Sequence, residues 1–357
     1  MSLKNNSNES LKKTLEDKKV LITGGTGSVG QIAVHEILRF NPAVVRILDV
    51  DETREFEMKH NLKKYSNVRF LLGDIRDKER LKRAVEDIDI IFHFASLKHV
   101  LACEYNPMEA VKTNVMGTQN LIDVALDEEV DKVIFTSSDK AVSPCNVLGA
   151  TKLLAEKLIT AANYYKGQRK TIFCSVRFGN VMGSRGSILP LFKDQIQNGG
   201  PVTLTDEKMT RFVMSVSEAS ALLLSAASMA QGGEIFVPKM HSVKIIDLAC
   251  ALIEELNPHN ADAVKINVVG RGPGEKLFEE IMTQSEAERS LETEQLFIIL
   301  PEITEYLHTE KFRYSNARPT KLAGYKSEDV ETLTKQQIKA LIHKENLLQS
   351  KPHLLHL

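Results

Sequence analysis

Apolar runs typical of strands alternate with helical segments through the first two-thirds of the chain, and this alternation constrains the fold more than any other feature. The strand-like runs are 19–25, 44–51, 68–77, 89–96, 131–140 and 170–183. Segments with helical spacing lie between them, at 29–40, 78–88, 110–130 and 146–165. Because parallel strands are joined by crossover helices, the pattern predicts an α/β fold with a Rossmann-type doubly wound parallel sheet.

The residues that could take part in binding or catalysis cluster where the strand-like runs end. They are found at 24–30, Asp49, Asp74, 95–98, 137–140 and 178–180. Ligands of open parallel sheets bind beyond the C-terminal ends of the strands. The coincidence therefore predicts a single binding region along that edge of the sheet.

The rest of the chain is organised differently. Residues 1–17 are a polar lead-in, which we expect to be partly disordered or a short helix. Residues 18–184 are predicted to form the dinucleotide-binding domain, with a returning segment near 210–240 and a strand at 233–239. Residues 185–209 and 241–357 are predicted to form a smaller mixed α/β substrate domain.

Composition excludes several functional classes. The 357 residues are 43% hydrophobic and 26% charged with a formal net charge of -1, so we expect a large core and no nucleic-acid partner. No long apolar run predicts a membrane segment, and the N-terminus lacks the apolar core of a signal peptide, which together favour a cytoplasmic protein. The four cysteines lack metal-like spacing, so we expect reduced thiols and no metal site.

The stretch "TGGTGSVG" holds Gly24, Gly27 and Gly30 between the first strand and the first helix. Glycines there permit a tight turn and close approach of a pyrophosphate to the helix N-terminus, whose free N–H groups attract anions. The pattern predicts a dinucleotide site. The remaining cofactor-binding residues predicted along this edge are Thr26, Ser28, Val29, Asp49, Asp74, Ile75, Ala95 and Lys152.

The acid at the end of the second strand bears on which dinucleotide is bound. The Asp49 carboxylate can accept both ribose hydroxyls of an NAD adenosine and repel a 2′-phosphate, which favours NAD over NADP. Asp74 and Ile75, after the third strand, are positioned to bracket an adenine.

Several longer stretches resemble a known family, the extended short-chain dehydrogenase/reductases, and within it the CapD-like nucleotide-sugar 4,6-dehydratases of polysaccharide biosynthesis. The most specific stretch is "SSDKAVSPCNVLGATKLLAEKL". The others are "ITGGTGSVG", "FASLKHVLACEYNPMEAVKTNVMGTQN", "RFGNVMGSRGSILPLFKDQIQNGGPVTLTDEKMTRFVMS" and "GPGEKLFEEIM". Together they span residues 18 to 285.

Two positions depart from the family pattern. Leu148 stands four residues before Lys152, where one branch of the family has a catalytic tyrosine and another, which generally retains the configuration at C5, has methionine. Gly272 stands directly before Pro-Gly-Glu-Lys, where the family usually has arginine, and Arg271 lies one residue earlier.

The resemblance implies a reaction on UDP-N-acetylglucosamine. Hydride leaves C4 for NAD, water is lost across C5–C6, and the hydride returns to C6, which gives a UDP-4-keto-6-deoxy-N-acetylhexosamine. The cofactor stays bound and is regenerated in each turnover. Leu148 favours retention at C5.

The same resemblance implies the catalytic roles. Asp139 is the acid toward the 6-hydroxyl, and Lys140 is the base at C5. A lysine that is partly desolvated beside a nicotinamide cation can have its pKa lowered enough to act as a base. Ser138 hydrogen-bonds the C4 oxygen, and Asp139, relayed through Ser138, accepts the C4 hydroxyl proton. Lys152 binds the nicotinamide ribose. His99 is an alternative base or a structural histidine, and His93 is expected in the core.

The substrate-binding residues implied for the UDP-sugar are Lys98, Asn180, Arg185, Arg211, Arg271 and Glu275. Arginine side chains suit diphosphate oxygens, and Glu275 suits ribose hydroxyls.

Alternatives to this function remain. A C5-inverting dehydratase or a UDP-sugar 4-epimerase uses the same scaffold, although an epimerase is expected to keep the tyrosine. A non-catalytic nucleotide-sensing protein is the alternative of another class, against which the Asp139–Lys140 pair argues. The resemblance also implies a homo-oligomer formed through the helices at 110–130 and 146–165.

Overall fold

The main element of the structure, a computed structural model that describes residues 2–259, 263–303, 305 and 312–348, is a sheet of ten strands. Their order across the sheet is β16-β14-β15-β10-β6-β5-β4-β1-β2-β3. These strands are β1 Lys19–Thr23, β2 Val44–Asp49, β3 Val68–Leu72, β4 Ile90–His93, β5 Lys132–Ser138, β6 Ile172–Phe178, β10 Ile235–Pro238, β14 Ser290–Glu292, β15 Leu296–Ile299 and β16 Arg318–Pro319.

Helices flank the sheet and connect its strands. They are α1 Ser2–Leu15, α2 Ser28–Leu38, α3 Glu52–Asn61, α4 Lys78–Val85, α5 Val100–Tyr105, α6 Pro107–Ala110, α7 Gly117–Asp127, α8 Val147–Tyr165, α9 Ile188–Gln197, α10 Val216–Met229, α11 Ile245–Leu256, α12 Gln284–Ala287 and α13 Lys335–Lys344.

The parallel strands β1 to β6 confirm the predicted fold class. Strands β1 and β4 pair in parallel, as do β4 with β5 and β5 with β6, and helices cover both faces. The central strands are apolar along nearly their whole length because both faces are buried. Val20 and Ile22 of β1 belong to the core on one face, and Leu21 belongs to the core on the other.

The strands at the far edge of the sheet cross the predicted domain boundaries. Strand β10 returns to pair in parallel with β6, as predicted for 233–239. Strand β15 then adds antiparallel to β10, and β14 and β16 follow. These strands lie within 241–357, which we had assigned to the substrate domain. They join the sheet because the open edge of β10 offers backbone groups that the apolar run 296–299 can pair with.

A smaller core lies apart from the two faces of the sheet. It is formed by apolar side chains of α9, α11 and α13, including Phe192, Leu252 and Ile338. The strands around it form small sheets: β7 Asn180–Val181, β9 Thr210–Met214 and β11 His241–Lys244 in one, β8 Val202–Leu204 with β12 Ile266–Val268 in another, and β13 Glu280–Met282 with β17 Tyr325–Lys326 in a third.

Two helical regions differ from the prediction. The polar lead-in contains the 14-residue helix α1, which ends on the fully buried Leu15. The long helix predicted at 110–130 is divided: α6 is followed by a π-helical segment, Val111–Met116, and then by α7. Within the described part of the chain, no helix combines the length and apolar character needed to cross a membrane.

A buried ion-pair network joins the long helix α8 to the C-terminal half of the chain. Arg177 on β6 is 1% exposed, and its guanidinium donates to both carboxylate oxygens of Glu156 on α8 at 2.6 and 3.0 Å. It also donates to both oxygens of Glu286 on α12, at 2.7 and 2.9 Å. Because a buried charge left without its partner is costly, this network holds α8 and α12 against the sheet.

We expect Glu156→Ala to lower the free energy of unfolding by about 3 kcal/mol, because it leaves the buried Arg177 with only one of its two carboxylates. Glu36→Ala is the control, since it removes a carboxylate from an exposed helical pair with Arg39 and is expected to cost less than about 0.5 kcal/mol. Urea denaturation of both variants measures the difference. Similar losses would contradict the structural role of the network.

Candidate active site

The glycine-rich turn lies where β1 ends and α2 begins. Gly24 has a φ of 69°, and a Cβ there would lie 2.7 Å from the backbone nitrogen of Ala95. A Cβ on Gly30 would lie 2.7 Å from the carbonyl oxygen of Gly24. Glycine is therefore required for the turn to fold back on itself and for the segment after β4 to pass beside it.

Asp49, at the end of β2, is bound to this turn. Its Oδ2 accepts hydrogen bonds from the backbone N–H and the hydroxyl of Thr26, at 3.0 and 2.7 Å. Its Oδ1 accepts from the backbone N–H groups of Val50 and Asp51, at 2.8 and 3.2 Å. The carboxylate is thus fixed and half-buried beside the glycines. Its preference for NAD stays a prediction.

The two residues predicted to bracket an adenine have different surroundings. The Asp74 carboxylate accepts from the side chain and the backbone N–H of Arg76, at 2.7 and 2.9 Å. Although burial opposes its charged form, these contacts lower the pKa of Asp74. The Ile75 side chain is buried, and a Cβ on Gly117 would lie 2.7 Å from its Cδ1. The structure therefore puts Ile75 beneath the turn and not on its surface.

Ser138, Asp139 and Lys140 come together at the C-terminal end of β5. The Ser138 hydroxyl donates to Asp139 Oδ1 at 2.7 Å, and its oxygen accepts from the Lys140 N–H at 3.2 Å. Lys140 Nζ donates to the same Asp139 oxygen at 3.0 Å. Asp139 is fully buried, and its Oδ2 has no hydrogen-bond partner within the described residues. The three predicted catalytic groups therefore form one hydrogen-bonded cluster.

The direction of the pKa of Lys140 in this structure is opposite to the lowering that we expect beside a nicotinamide cation. Burial opposes its ammonium form, but the carboxylates of Asp139 and Glu279 lie 3.0 and 3.7 Å from its Nζ and outweigh that effect, so the pKa of Lys140 is raised. Glu279 was not among the predicted site residues. Lys140 is therefore an ammonium ion between two acids.

Lys152, on α8, is buried and lies one helical turn after Leu148. Its Nζ donates to the Ser96 hydroxyl at 2.9 Å and to the Thr136 carbonyl at 3.0 Å, and it lies 5.0 Å from the centre of the Phe135 ring. Burial lowers the pKa of Lys152 to about 8. Unlike Lys140, it has no carboxylate among these direct partners.

Leu148 is 3% exposed and fills an apolar cluster. It packs with Cys103 and Ala110, and Leu97 and Val100 lie against the same cluster. A leucine at the position of a family tyrosine thus belongs to the packing of α8 against α5 and α6.

The start of α8 is fixed on the turn that carries Asp139. Asn146 caps the helix by accepting from the Gly149 N–H at 2.8 Å. A Cβ on Gly149 would lie only 2.2 Å from the carbonyl oxygen of Lys140. This glycine therefore lets the helix and the turn at 138–140 touch.

Lys98 and Arg185, both predicted to bind the UDP-sugar, meet at the glycine-rich turn. Lys98 Nζ donates to the Arg185 carbonyl at 2.5 Å. The Arg185 guanidinium donates to the Thr26 carbonyl at 2.5 Å, and the Arg185 backbone N–H donates to the Ser28 hydroxyl at 3.1 Å. The structure thus corrects the assignment of Arg185: it lies against the segment predicted to bind the cofactor, because its loop folds over that turn.

Arg211 also differs from its predicted role in diphosphate binding. It is 8% exposed, and its terminal nitrogens donate to the carbonyls of Thr210, Leu277 and Lys276, at 2.7, 3.2 and 2.8 Å. Its Nε lies 3.7 Å from Glu279. The guanidinium is used to hold the 276–279 segment, so the structure does not present it to a diphosphate.

The other predicted substrate residues lie on two surfaces. Arg271 and Glu275 are exposed on the loop after β12, where Arg271 lies 3.8 Å from Asp206 and Glu275 accepts from the Gly272 N–H at 2.9 Å. The same loop contacts the start of α8, since Asn146 donates to the Gly274 carbonyl at 2.9 Å. Asn180 is half-buried on β7.

The two histidines have distinct surroundings. His93 is fully buried, as predicted, and its ring nitrogens lie 2.6 and 3.2 Å from the hydroxyls of Thr23 and Thr118. Burial and the nearby Lys152 lower the pKa of His93 to about 3, so it stays neutral. His99 is exposed, and a Cβ on Gly186 would lie 2.6 Å from its ring. The four cysteines are free thiols, as expected.

Comparison with protein families gives one match that covers most of the chain. The family described as polysaccharide biosynthesis protein matches residues 20–301.

Curated relatives extend the match beyond the family region. An uncharacterized membrane protein of Methanocaldococcus jannaschii is 52% identical over 330 residues, which are 92% of this chain and 96% of the relative. A UDP-N-acetylglucosamine 4,6-dehydratase (inverting) of Campylobacter jejuni is 42% identical over 80% of this chain and 84% of its own. A UDP-glucose 4-epimerase of Rickettsia typhi is 36% identical over 91% of this chain and 95% of its own.

Solved structures share the fold. The X-ray structure of Pen from Bacillus thuringiensis has a TM-score of 0.88 and 44% identity, and the match covers 93% of this chain and 99% of Pen. DesIV, a dTDP-glucose 4,6-dehydratase from Streptomyces venezuelae with NAD and TYD bound, has a TM-score of 0.66 and 24% identity, over 72% of this chain and 86% of its own. At that identity DesIV shows the fold alone.

The buried Lys152 predicts a pH-dependent stability. Its pKa falls from an ordinary 10.5 to about 8 on folding, so the unfolded chain binds more protons between those pH values and stability rises with pH there. Relative to Lys152→Met, the wild type should gain about 3 kcal/mol in free energy of unfolding as pH rises from 8 to 10.5.

Denaturant titrations at several pH values measure this gain. Lys157→Met is the control, because Lys157 is an exposed lysine on the same helix and its removal should give no such gain. A wild-type advantage that stays constant with pH would show that Lys152 is not desolvated.

Proposed function

The chain belongs to the polysaccharide biosynthesis protein family, and we propose that within it the protein is an NAD-dependent 4,6-dehydratase of UDP-N-acetylglucosamine. The coarser conclusion, that it is a nucleotide-sugar dehydratase, rests on the Campylobacter jejuni dehydratase, which is 42% identical over 80% of the chain. The single observation that carries the proposal is the Asp139–Lys140 ion pair at the end of β5, in which Asp139 is fully buried.

The glycine-rich turn is suited to a dinucleotide. Cβ atoms on Gly24 and Gly30 would collide with the backbone, so the turn is narrow, and the N-terminus of α2 lies behind it. The half-buried Asp49 carboxylate favours NAD, since it would repel the 2′-phosphate of NADP. When bound, the cofactor supplies the acceptor and the donor of the hydride. Arg185 and Lys98, which lie at this turn, would add positive charge beside the pyrophosphate.

The catalytic cluster can supply the proton transfers that dehydration requires. The Asp139 carboxylate accepts the C4 hydroxyl proton, relayed through the Ser138 hydroxyl, which donates to it at 2.7 Å. The resulting carboxylic acid gives that proton to the departing 6-hydroxyl, so water leaves and Asp139 is regenerated.

Lys140 handles the other proton. Once the 4-keto group is present, the neutral amine of Lys140 accepts the proton from C5: the C5–H bond breaks, an N–H bond forms, and the electron pair is delocalised toward the ketone. The ammonium later returns the proton to C5. Because the pKa of Lys140 is raised, its ammonium has to release a proton before it can accept one.

We propose that the product retains its configuration at C5. The support is Leu148, an apolar residue like the methionine of the retaining branch. The apolar contacts of Leu148 with Cys103 and Ala110 keep that position out of proton transfer.

We also propose that the protein is a homo-oligomer. Exposed apolar side chains gather on α5, α6 and α8, and Leu101, Tyr105, Met108 and Leu154 are 50–88% exposed. A second copy packed on this face would bury them.

Incubation with UDP-N-acetylglucosamine in deuterated water, followed by NMR, tests the function. We expect a 4-keto-6-deoxy product with deuterium at C5, and the coupling pattern of the sugar ring gives the configuration at C5. A second candidate, a 4-epimerase, is favoured by the Rickettsia typhi relative and would give an isomer without loss of water. Binding without turnover would support a nucleotide-sensing protein and would contradict the proposal that the protein is an enzyme.

Two substitutions test the assignment of the residues. We expect Lys140→Ala to reduce turnover by about 10³-fold or more, because it removes the proposed C5 base. Leu148→Ala should retain turnover within about tenfold, because it removes only apolar packing. Steady-state assays of both variants measure kcat. An equal loss in the two would mean that the base has been misplaced.

A further inference from the structure

Glu279 is a buried acid beside the proposed catalytic cluster, and nothing in the sequence motifs assigned it a role. It is 3% exposed and lies just before β13. Its Oε1 lies 3.7 Å from Lys140 Nζ and 3.7 Å from Arg211 Nε. Its Oε2 is buried without a hydrogen-bond partner within the described residues. The hydrogen-bonding capacity of this carboxylate is incompletely used, and its ion-pair partners are two positive charges. We therefore look for its role in its charge.

The backbone of Glu279 is anchored by the C-terminal part of the chain. Ser327, which is fully buried and follows β17, accepts from the Glu279 N–H through its hydroxyl at 3.0 Å. Its own N–H donates to the Glu279 carbonyl at 2.8 Å. The Ser327 hydroxyl also lies 2.8 Å from the hydroxyl of Thr210. Both backbone groups of Glu279 are thus paired with one residue, which limits where its side chain can reach.

The charges that face Lys140 come from three parts of the fold. Asp139 lies on the same turn, Glu279 lies before β13, and Arg211 comes from β9. Lys276 adds a further positive charge that acts on Glu279. With both acids ionised, Asp139 and Glu279 balance Lys140 and Arg211, and the charge of Lys276 is left over. Removing one acid leaves a net positive charge around Lys140.

We infer that Glu279 is a positioning residue for Lys140: it holds the amine beside Asp139 and sets the pH at which Lys140 exchanges its proton. This inference rests on the proposed function, in which Lys140 has to become neutral before it accepts the C5 proton. Glu279 does not touch the Ser138 hydroxyl that relays the C4 proton, so its effect acts through Lys140.

The ionisation of the two groups supports this arrangement. Burial and the neighbouring Asp139 raise the pKa of Glu279, because a second negative charge in the cluster is unfavourable. Glu279 in turn stabilises the ammonium of Lys140 and opposes the release of its proton. The Glu279 carboxylate therefore moves the conversion of Lys140 from ammonium to the reactive amine to higher pH.

The test is the pH profile of kcat/KM for Glu279→Gln, a substitution that keeps the shape and removes the charge. We expect the ascending limb, where Lys140 loses its proton, to move to lower pH by about one unit or more, which is about tenfold more neutral amine at a fixed pH below the limb. Glu280→Gln is the matched control: it removes the adjacent acid, whose side chain accepts from Ser143 at 2.8 Å, and should leave the limb in place.

An unchanged limb in Glu279→Gln, or an equal shift in Glu280→Gln, would overturn the inference. If Glu279→Gln does not fold, Ser327→Ala takes its place, because it removes the hydroxyl that accepts from the Glu279 N–H. We then expect a smaller shift in the same direction, and no shift would likewise overturn the inference.

A second measurement separates this inference from the proposed function. The titration of Lys140 can be followed by NMR on protein carrying ¹³C-methylated lysines, with the Lys140 signal assigned by its loss in Lys140→Arg. We expect its midpoint to fall in Glu279→Gln and to stay unchanged in Glu280→Gln, whether or not the sugar nucleotide is turned over. A wild type inactive toward UDP-N-acetylglucosamine would thus reject the function alone, and an unmoved titration would reject the role of Glu279.

Discussion

The contact between Gly149 and the Lys140 carbonyl is the constraint on which the rest of the site depends. With 2.2 Å between that oxygen and the place of a Cβ, only glycine lets α8 start directly on the turn after β5. Lys152, on the first turns of α8, is thereby brought beneath β5, where it donates to the Thr136 carbonyl at 3.0 Å. One close backbone approach therefore puts Asp139, Lys140 and Lys152 at a single strand end.

The two lysines of this site show how the groups next to a buried amine determine the direction of its pKa shift. Lys152 donates to a hydroxyl and a carbonyl, so burial lowers its pKa to about 8. Lys140 lies near two carboxylates, Asp139 and Glu279, so its pKa is raised. Desolvation disfavours the charged form of both, and at Lys140 the two neighbouring carboxylates outweigh it. The site thus favours the ammonium form of Lys140 more strongly than that of Lys152.

The central sheet and the cluster at 138–140 could be predicted from the sequence because both depend on local patterns. Apolar runs ending in glycine or acid identify the strands, and parallel pairing brings their C-terminal ends to one edge. The positions of Arg185 and Arg211 could not be predicted, because each is set by a loop folding onto a distant segment.

The position of Glu279 could not be predicted either, because it also depends on contacts with distant segments of the chain. It stood within "GPGEKLFEEIM", which carried the resemblance, but the pairing of two acids there does not reveal which one is buried. Its anchor, Ser327, has no local signal at all. The strands β14 to β16 were assigned to the wrong unit because a short apolar run does not identify the sheet edge that it will extend.

In the proposed reaction, Leu148 limits where proton transfer can occur. Its neighbours are the thiol of Cys103 and the apolar side chains of Ala110, Leu97 and Val100. A phenol in this place would bring a hydroxyl into apolar surroundings, where it needs a hydrogen-bond partner. With leucine the pocket is filled without that demand. The proposed proton transfers are then confined to the turn at 138–140, where the Ser138 hydroxyl and the Asp139 carboxylate are already joined by a 2.7 Å hydrogen bond.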